Sequence, residues 1–103
     1  MGVEVVWTEQ RQRRRSRLET MNTILNLAVN GIRKTHIMYR ANLSHRQLEK
    51  YLEILSNKQL LNKKDGEYIT TVRGVDYIEK FREIQSLLME GREEATARYK
   101  NQR

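Results

Sequence analysis

The chain has 103 residues, of which 38% are hydrophobic and 32% charged, and its formal net charge is +7 at neutral pH. This length allows one small domain and one further long helix. The chain contains no cysteine, which excludes disulfides, a cysteine-based zinc site and a thiol nucleophile. Its two histidines have no carboxylate pair at ligand spacing, so neither a metal nor another cofactor is expected.

Residues 1–16 are predicted to form a basic N-terminal extension. Val3 and Val5 alternate with Glu4 as in a strand, and Trp7 is the only tryptophan. A strand, a helical extension and irregular chain are all open for this segment. It lacks the pattern of a secretion signal, and the apolar runs of the chain are too short to cross a bilayer. A cytoplasmic protein with no membrane partner is therefore expected.

A cluster of arginines follows, with five guanidinium groups in seven residues. Each guanidinium can pair with phosphate oxygens, and the displacement of counterions from DNA would make binding depend on salt. One interpretation is a clamp on the phosphate backbone or an arm in a groove. The other is a solvated leader. The cluster consists of Arg11, Arg13, Arg14, Arg15 and Arg17.

The next segment is predicted to be an amphipathic helix. Its apolar residues recur at spacings of three and four, which is the period of one helix face. Asn30 and Gly31 are predicted to end it, because glycine tolerates the left-handed conformation found at helix C-termini. The apolar positions are Leu18, Met21, Ile24, Leu25, Ala28 and Val29.

Residues 35–57 are predicted to form a helix-turn-helix. A short apolar stripe on the first helix ends at a turn through Asn42. Ser44 is predicted to cap the second helix, because its hydroxyl can accept hydrogen bonds from amides near Gln47. Alone, this pair of helices is equally compatible with a simple all-α core. The apolar stripe of the second helix consists of Leu48, Leu52 and Leu55.

A basic hairpin is predicted to follow the two helices. The segments 59–64 and 67–71 flank Asp65-Gly66, a pair that adopts the positive φ angles of a tight type I′ turn. Lys63 and Lys64 stand at its tip, where they would reach a phosphate backbone or simply serve solubility. Two helices and a basic hairpin in this order describe a winged helix.

The exposed face of the second helix supplies the candidate groove contacts. In this interpretation Arg46 reads guanine and Gln47, the weaker candidate, reads adenine. The groove candidates are Ser44, His45, Arg46, Gln47, Glu49 and Lys50. Beyond the arginine cluster, the candidate phosphate contacts are Arg33, Lys34, His36, Lys63 and Lys64.

Residues 75–103 are predicted to form one long helix whose apolar seam pairs with a second copy of the chain. A domain of this size offers such a seam no other burial. Gly91 and Ala95 would permit close approach of two backbones, although glycine also weakens a helix by about 1 kcal/mol. The predicted interface residues are Ile78, Phe81, Ile84, Leu88, Gly91 and Ala95.

The positive charge is unevenly distributed along the chain. Residues 1–74 contain 14 Lys or Arg against seven Asp or Glu, whereas residues 75–103 contain six of each. The whole excess therefore lies in the extension and the predicted winged helix, which favours a polyanion as the partner of that part.

Several segments resemble the small archaeal winged-helix DNA-binding proteins of the Sulfolobus 10a class. The resemblance runs from about Arg17 to the end of the chain and is carried by Ile37-Met38-Tyr39, Ala41-Asn42-Leu43-Ser44, Tyr68-Ile69-Thr70 and Gly74. It implies a homodimer joined through an antiparallel coiled coil of C-terminal helices. It also implies binding to duplex DNA with low sequence preference. Residues 1–16 lie outside the resemblance.

The expected fold class is mainly α with a small β-hairpin: a winged helix-turn-helix at 17–74 followed by the dimerisation helix at 75–103. The expected function is non-enzymatic binding of double-stranded DNA as a homodimer of architectural type, associated with the nucleoid. No small-molecule ligand is expected. The alternatives are a sequence-specific transcription regulator and a winged helix that binds an acidic protein. The spacing of two domains in a dimer allows one duplex or two bridged duplexes.

Overall fold

A computed structural model describes residues 16–89 of the chain. Within this range, four helices pack around a three-stranded antiparallel sheet, which confirms a mostly helical winged-helix architecture. The arginine cluster up to Arg15 and the predicted helix from Glu90 onward lie outside the described range. In chain order the elements are α1 (Arg17–Leu27), β1 (Ile32–Arg33), α2 (Lys34–Ala41), α3 (His45–Asn57), β2 (Leu61–Lys64), β3 (Glu67–Thr70) and α4 (Val72–Met89).

Helix α1 begins with a capping box. The Ser16 hydroxyl accepts from the Glu19 amide at 3.1 Å, and the Glu19 carboxylate accepts from the Ser16 amide at 3.2 Å. The helix ends at Leu27 rather than at the predicted Asn30-Gly31 stop, although Gly31 does have a positive φ of 90°. The chain leaves the helix early because the Ala28 carbonyl accepts from the backbone amide of Thr70 at 2.9 Å.

The predicted turn and cap of the helix-turn-helix are confirmed. Asn42 ends α2 in the left-handed conformation, with φ 57° and ψ 52°. Ser44 caps α3 with a full capping box, since its hydroxyl accepts from the Gln47 amide at 3.1 Å and the Gln47 side chain accepts from the Ser44 amide at 3.0 Å. These bonds satisfy two amides that a helix start leaves unpaired, so they define where α3 begins.

The hairpin of β2 and β3 is confirmed, and a third strand joins it. Asp65 and Gly66 have φ angles of 54° and 80°, as a type I′ turn requires. Strand β1 adds to the outer edge of β3 with Ile32 opposite Tyr68, giving the order β1-β3-β2. The sequence analysis missed β1 because two residues are too few to show a strand period.

One hydrophobic core lies between the helices and the inner face of the sheet. Thr70 is buried within it and donates its hydroxyl proton to the Leu25 carbonyl at 2.6 Å, which ties β3 to α1. The buried apolar side chains are Met21, Ile24, Leu25, Ala28, Ile32, Ile37, Ala41, Leu48, Leu52, Leu55, Leu60, Leu61, Tyr68 and Ile78.

Helix α4 crosses the core closely with its first two turns. The Thr71 hydroxyl accepts from the Gly74 amide at 3.0 Å and donates to the Gln59 carbonyl at 2.8 Å. Ile78, predicted at a dimer interface, is only 7% exposed and belongs to the core of its own domain. The predicted boundary between residues 74 and 75 therefore falls inside a helix that packs on the domain.

Gly74 allows this crossing because it has no side chain. A Cβ atom at this position would overlap the backbone oxygen of Leu60 and lie 2.5 Å from the Thr70 methyl group. Real Cβ atoms essentially never approach other heavy atoms this closely. A backbone oxygen cannot rotate away as the end of a flexible side chain would.

Replacing Gly74 with alanine should therefore lower the free energy of unfolding by about 1–3 kcal/mol, the usual cost of overpacking. An unconstrained helical glycine would instead gain about 1 kcal/mol from the same change. The sign can be read from urea denaturation followed by circular dichroism, with the exposed Gln85→Ala on the same helix as a control. A more stable Gly74→Ala protein would contradict the close contact.

Candidate nucleic-acid interface

The outward face of α3 is set by the burial of its opposite face. Leu48, Leu52 and Leu55 are in the core, so residues on the far side of the helix point to solvent. Arg46 and Lys50 are exposed there, one turn apart, and neither forms an ion pair with any described residue. This arrangement leaves two cations free on a capped helix of 13 residues.

Two of the predicted groove residues are engaged in the cap of α3. Ser44 and Gln47 each use their side-chain oxygen to accept the other's backbone amide. A bidentate contact to adenine requires both the oxygen and the nitrogen of the glutamine amide. While the capping box is intact, Gln47 therefore has only its NH₂ group to offer a base.

Glu49, His45 and Lys34 form a charged group between α2 and α3. The Lys34 ammonium donates to Oε2 of Glu49, and Nε2 of His45 lies 3.4 Å from the same oxygen. The side chains of Lys34 and Glu49 are 37% and 47% exposed, so the pair is partly solvated. Two predicted DNA contacts thus share one carboxylate.

The two wing lysines lie on different faces of the hairpin. Lys63 pairs with Tyr68 across the strands, and its ammonium lies 5.7 Å from the centre of the Tyr68 ring, as in a cation–π contact. Lys64 is opposite Glu67, which is also opposite Arg33 of β1. Across the outer face of the sheet the order is therefore cation, carboxylate, cation, with both cations exposed.

Two further predicted phosphate contacts are placed away from α3. His36 follows Lys34 by two residues, or about 200° around α2 at 3.6 residues per turn. It lines an open depression with Tyr39 and Arg40, whereas Lys34 faces α3. Arg17 begins α1 beside Leu18, whose carbonyl accepts from the Tyr77 hydroxyl of α4 at 2.8 Å. The structure therefore does not bring Arg17 and His36 together with the cations of α3.

The described part of α4 carries an apolar surface beyond the core. Phe81 is half-buried and stacks on Tyr77, with ring centres 6.2 Å apart. Ile84 and Leu88 are 52% and 69% exposed, and Leu87 and Met89 are also exposed. Of the predicted interface residues, Gly91 and Ala95 lie outside the described range.

Sequence reasoning missed two polar residues on the outward row of α3. Glu53 and Asn57 continue the row of Arg46 and Lys50 at spacings of three and four, and both are exposed. The same helical period that located the leucine stripe would have identified them. Together the four side chains present donors and acceptors along the length of the helix.

The described residues hold no other candidate site of comparable definition. In residues 16–89, no group of three or more His, Asp or Glu is arranged to hold a metal ion. Over the same range, none of the helices has the length and apolar character needed to cross a bilayer.

Comparison with known proteins agrees with this geometry. The family model described as winged helix-turn-helix matches residues 14–89, and proteins of this fold generally bind DNA. The chain is also 35% identical over 57 residues to an uncharacterized protein of Methanocaldococcus jannaschii. That stretch is 55% of this chain and 27% of the relative, so the chain spans about a quarter of that protein. The order of elements, the capped second helix, the hairpin and the family match lead to one conclusion: the chain belongs to the winged helix-turn-helix family.

Proposed function

We propose that this protein binds double-stranded DNA as a homodimer, with α3 in the major groove and the β2–β3 hairpin against the phosphate backbone. Its role is architectural, with contacts made mainly to phosphates. In this role it acts in the cytoplasm, associated with the nucleoid. The dimer forms through an antiparallel coiled coil of C-terminal helices, as in the Sulfolobus 10a class that the chain resembles.

The observation that carries this proposal is the pair of free cations on α3. Arg46 and Lys50 are exposed on the side opposite the core, on a helix whose start is secured by the Ser44 cap. A helix of this diameter fits the major groove of B-DNA. A guanidinium at its N-terminal turn can bind guanine bidentately or pair with a phosphate.

The hairpin supports the same geometry. Lys63, Lys64 and Arg33 are exposed at the end of the sheet, and none of them forms an ion pair with a described residue. Phosphate contacts of this kind position a protein on a duplex without reading its sequence. The arginine cluster of residues 11–17 would add contacts of the same type.

The exposed apolar surface of α4 supports a dimer. Ile84, Leu87 and Leu88 project beyond the core, whereas the earlier turns of the helix are anchored on their own domain. A second copy of α4 would cover these side chains and would hold two α3 helices at a defined separation. Two linked binding modules gain affinity from their proximity.

A sequence-specific transcription regulator is the second candidate. The row formed by Arg46, Glu53 and Asn57 favours it, because these groups can distinguish the edges of bases. The two functions differ in the ratio of affinities for one site and for random duplex, which reaches roughly 10³–10⁷ for specific binders.

The double variant Arg46→Ala, Lys50→Ala should bind duplex more weakly by at least about 1–3 kcal/mol, the range measured for one good base contact. Fluorescence anisotropy with a labelled random-sequence duplex at several salt concentrations measures this loss. Arg82→Ala, which removes an exposed cation from α4, is the control and should change affinity little. Equal losses in both proteins would remove the case for α3 as the binding helix.

Replacing Arg13, Arg14 and Arg15 together with alanine should weaken binding to all duplex sequences alike. If the three contact phosphates, the slope of log K against log salt should become shallower by about 2.7, at roughly 0.9 for each phosphate contact. An unchanged slope would identify the cluster as a solvated leader.

Replacing Leu88 with lysine should give monomers, because a charge cannot be buried at an apolar seam without a partner. DNA affinity should fall by roughly a hundredfold or more as the bivalent contribution is lost, although the net charge rises. Light scattering and anisotropy measure the two effects. Glu83→Gln changes the net charge equally and should remain dimeric, and a dimeric Leu88→Lys protein would refute the seam.

A further inference from the structure

The contact between Lys34 and Glu49 joins the two helices of the helix-turn-helix. Lys34 is the first residue of α2 and Glu49 lies on α3, and the lysine ammonium donates to the glutamate carboxylate. Of the three ion pairs among the described residues, this one connects different elements; the other two lie within α3 and α4. It therefore relates a phosphate-contact candidate directly to the proposed groove helix.

The pair is accessible enough to open. With side chains 37% and 47% exposed, it lies at the surface, where ion pairs typically contribute about 0–1 kcal/mol. A DNA phosphate is an equally charged acceptor, and it also releases counterions when a cation binds it. A duplex lying along α3 therefore offers Lys34 an alternative to Glu49.

The contact also carries a cost for DNA binding. As long as Lys34 donates to Glu49, its charge is neutralised locally and one phosphate contact is lost. If Lys34 leaves, a carboxylate remains beside the duplex with His45 as its neighbour, 3.4 Å away. In either state Glu49 lowers the electrostatic affinity of the surface. Arg46 and Lys50 have no such partner, so the restraint acts on one contact rather than on the whole face.

We propose that Glu49 competes with DNA phosphate for Lys34 and so sets the electrostatic affinity of the protein. This inference rests on the proposed DNA-binding function and assigns to Glu49 a regulatory role rather than a base contact. Lys34 is then a conditional phosphate contact, engaged on DNA only when the phosphate outcompetes the carboxylate.

The test compares Glu49→Gln with Glu83→Gln in the 103-residue chain. Both remove one negative charge, but Glu83 lies on α4, away from Lys34. Glu49→Gln should raise affinity for a random-sequence duplex by about three- to tenfold at about 0.1 M salt and steepen the salt slope by up to about 0.9, the value of one further phosphate contact. Glu83→Gln should leave the slope unchanged. Measurement at about pH 8.5 keeps histidine uncharged.

Lys34→Ala provides the coupling measurement. In that background, Glu49→Gln should gain no more affinity than Glu83→Gln does, because no lysine is left to release. Thermal melting by circular dichroism confirms that each variant is folded. A gain that persists without Lys34, or equal gains for Glu49→Gln and Glu83→Gln, would overturn the competition. A parent chain that binds no duplex would overturn the proposed function as well, so the two failures are distinguishable.

Discussion

Burial of the apolar face of α3 is the interaction on which the rest of the structure depends. Leu48, Leu52 and Leu55 are almost completely removed from solvent, and burial of a leucine side chain stabilises a fold by about 1.5–3 kcal/mol. Only one rotation of the helix about its axis satisfies all three. That rotation exposes Arg46 and Lys50, so the position of the candidate groove contacts follows from the packing of apolar residues.

The sheet relates the wing to the helices through contacts between residues distant in sequence. The Thr70 amide binds the Ala28 carbonyl and its hydroxyl binds the Leu25 carbonyl, while the Thr71 amide binds the Leu60 carbonyl at 3.1 Å. These bonds hold the base of the hairpin against α1 and the start of α4. The direction of the wing is therefore defined by the whole domain, although its turn is a local feature of Asp65-Gly66.

The basic residues of the domain are not equivalent. Arg46 and Lys50 are free, Lys34 shares Glu49 with His45, and Lys63 lies over an aromatic ring. Arg33 and Lys64 lie on either side of Glu67 across the sheet. A count of charges treats all of these groups alike, whereas their partners decide how readily each is available to a phosphate. The acidic residues among them restrain non-specific attraction to a polyanion.

Features encoded within a few neighbouring residues were determined by the sequence alone. The Ser44 cap, the left-handed turn at Asn42, the Asp65-Gly66 turn and the leucine stripe of α3 each depend on local backbone sterics or on helical period, and each is present. The family and its general DNA-binding role also followed from this order of elements.

Only the tertiary structure decided which neighbours those elements acquire. Strand β1 exists because β3 supplies its hydrogen bonds, and Ile78 lies in the core because α4 crosses it at Gly74. The pairing of Lys34 with Glu49 joins residues 15 positions apart. No local period encodes such contacts, because they arise when separately formed elements pack and bury their apolar faces together.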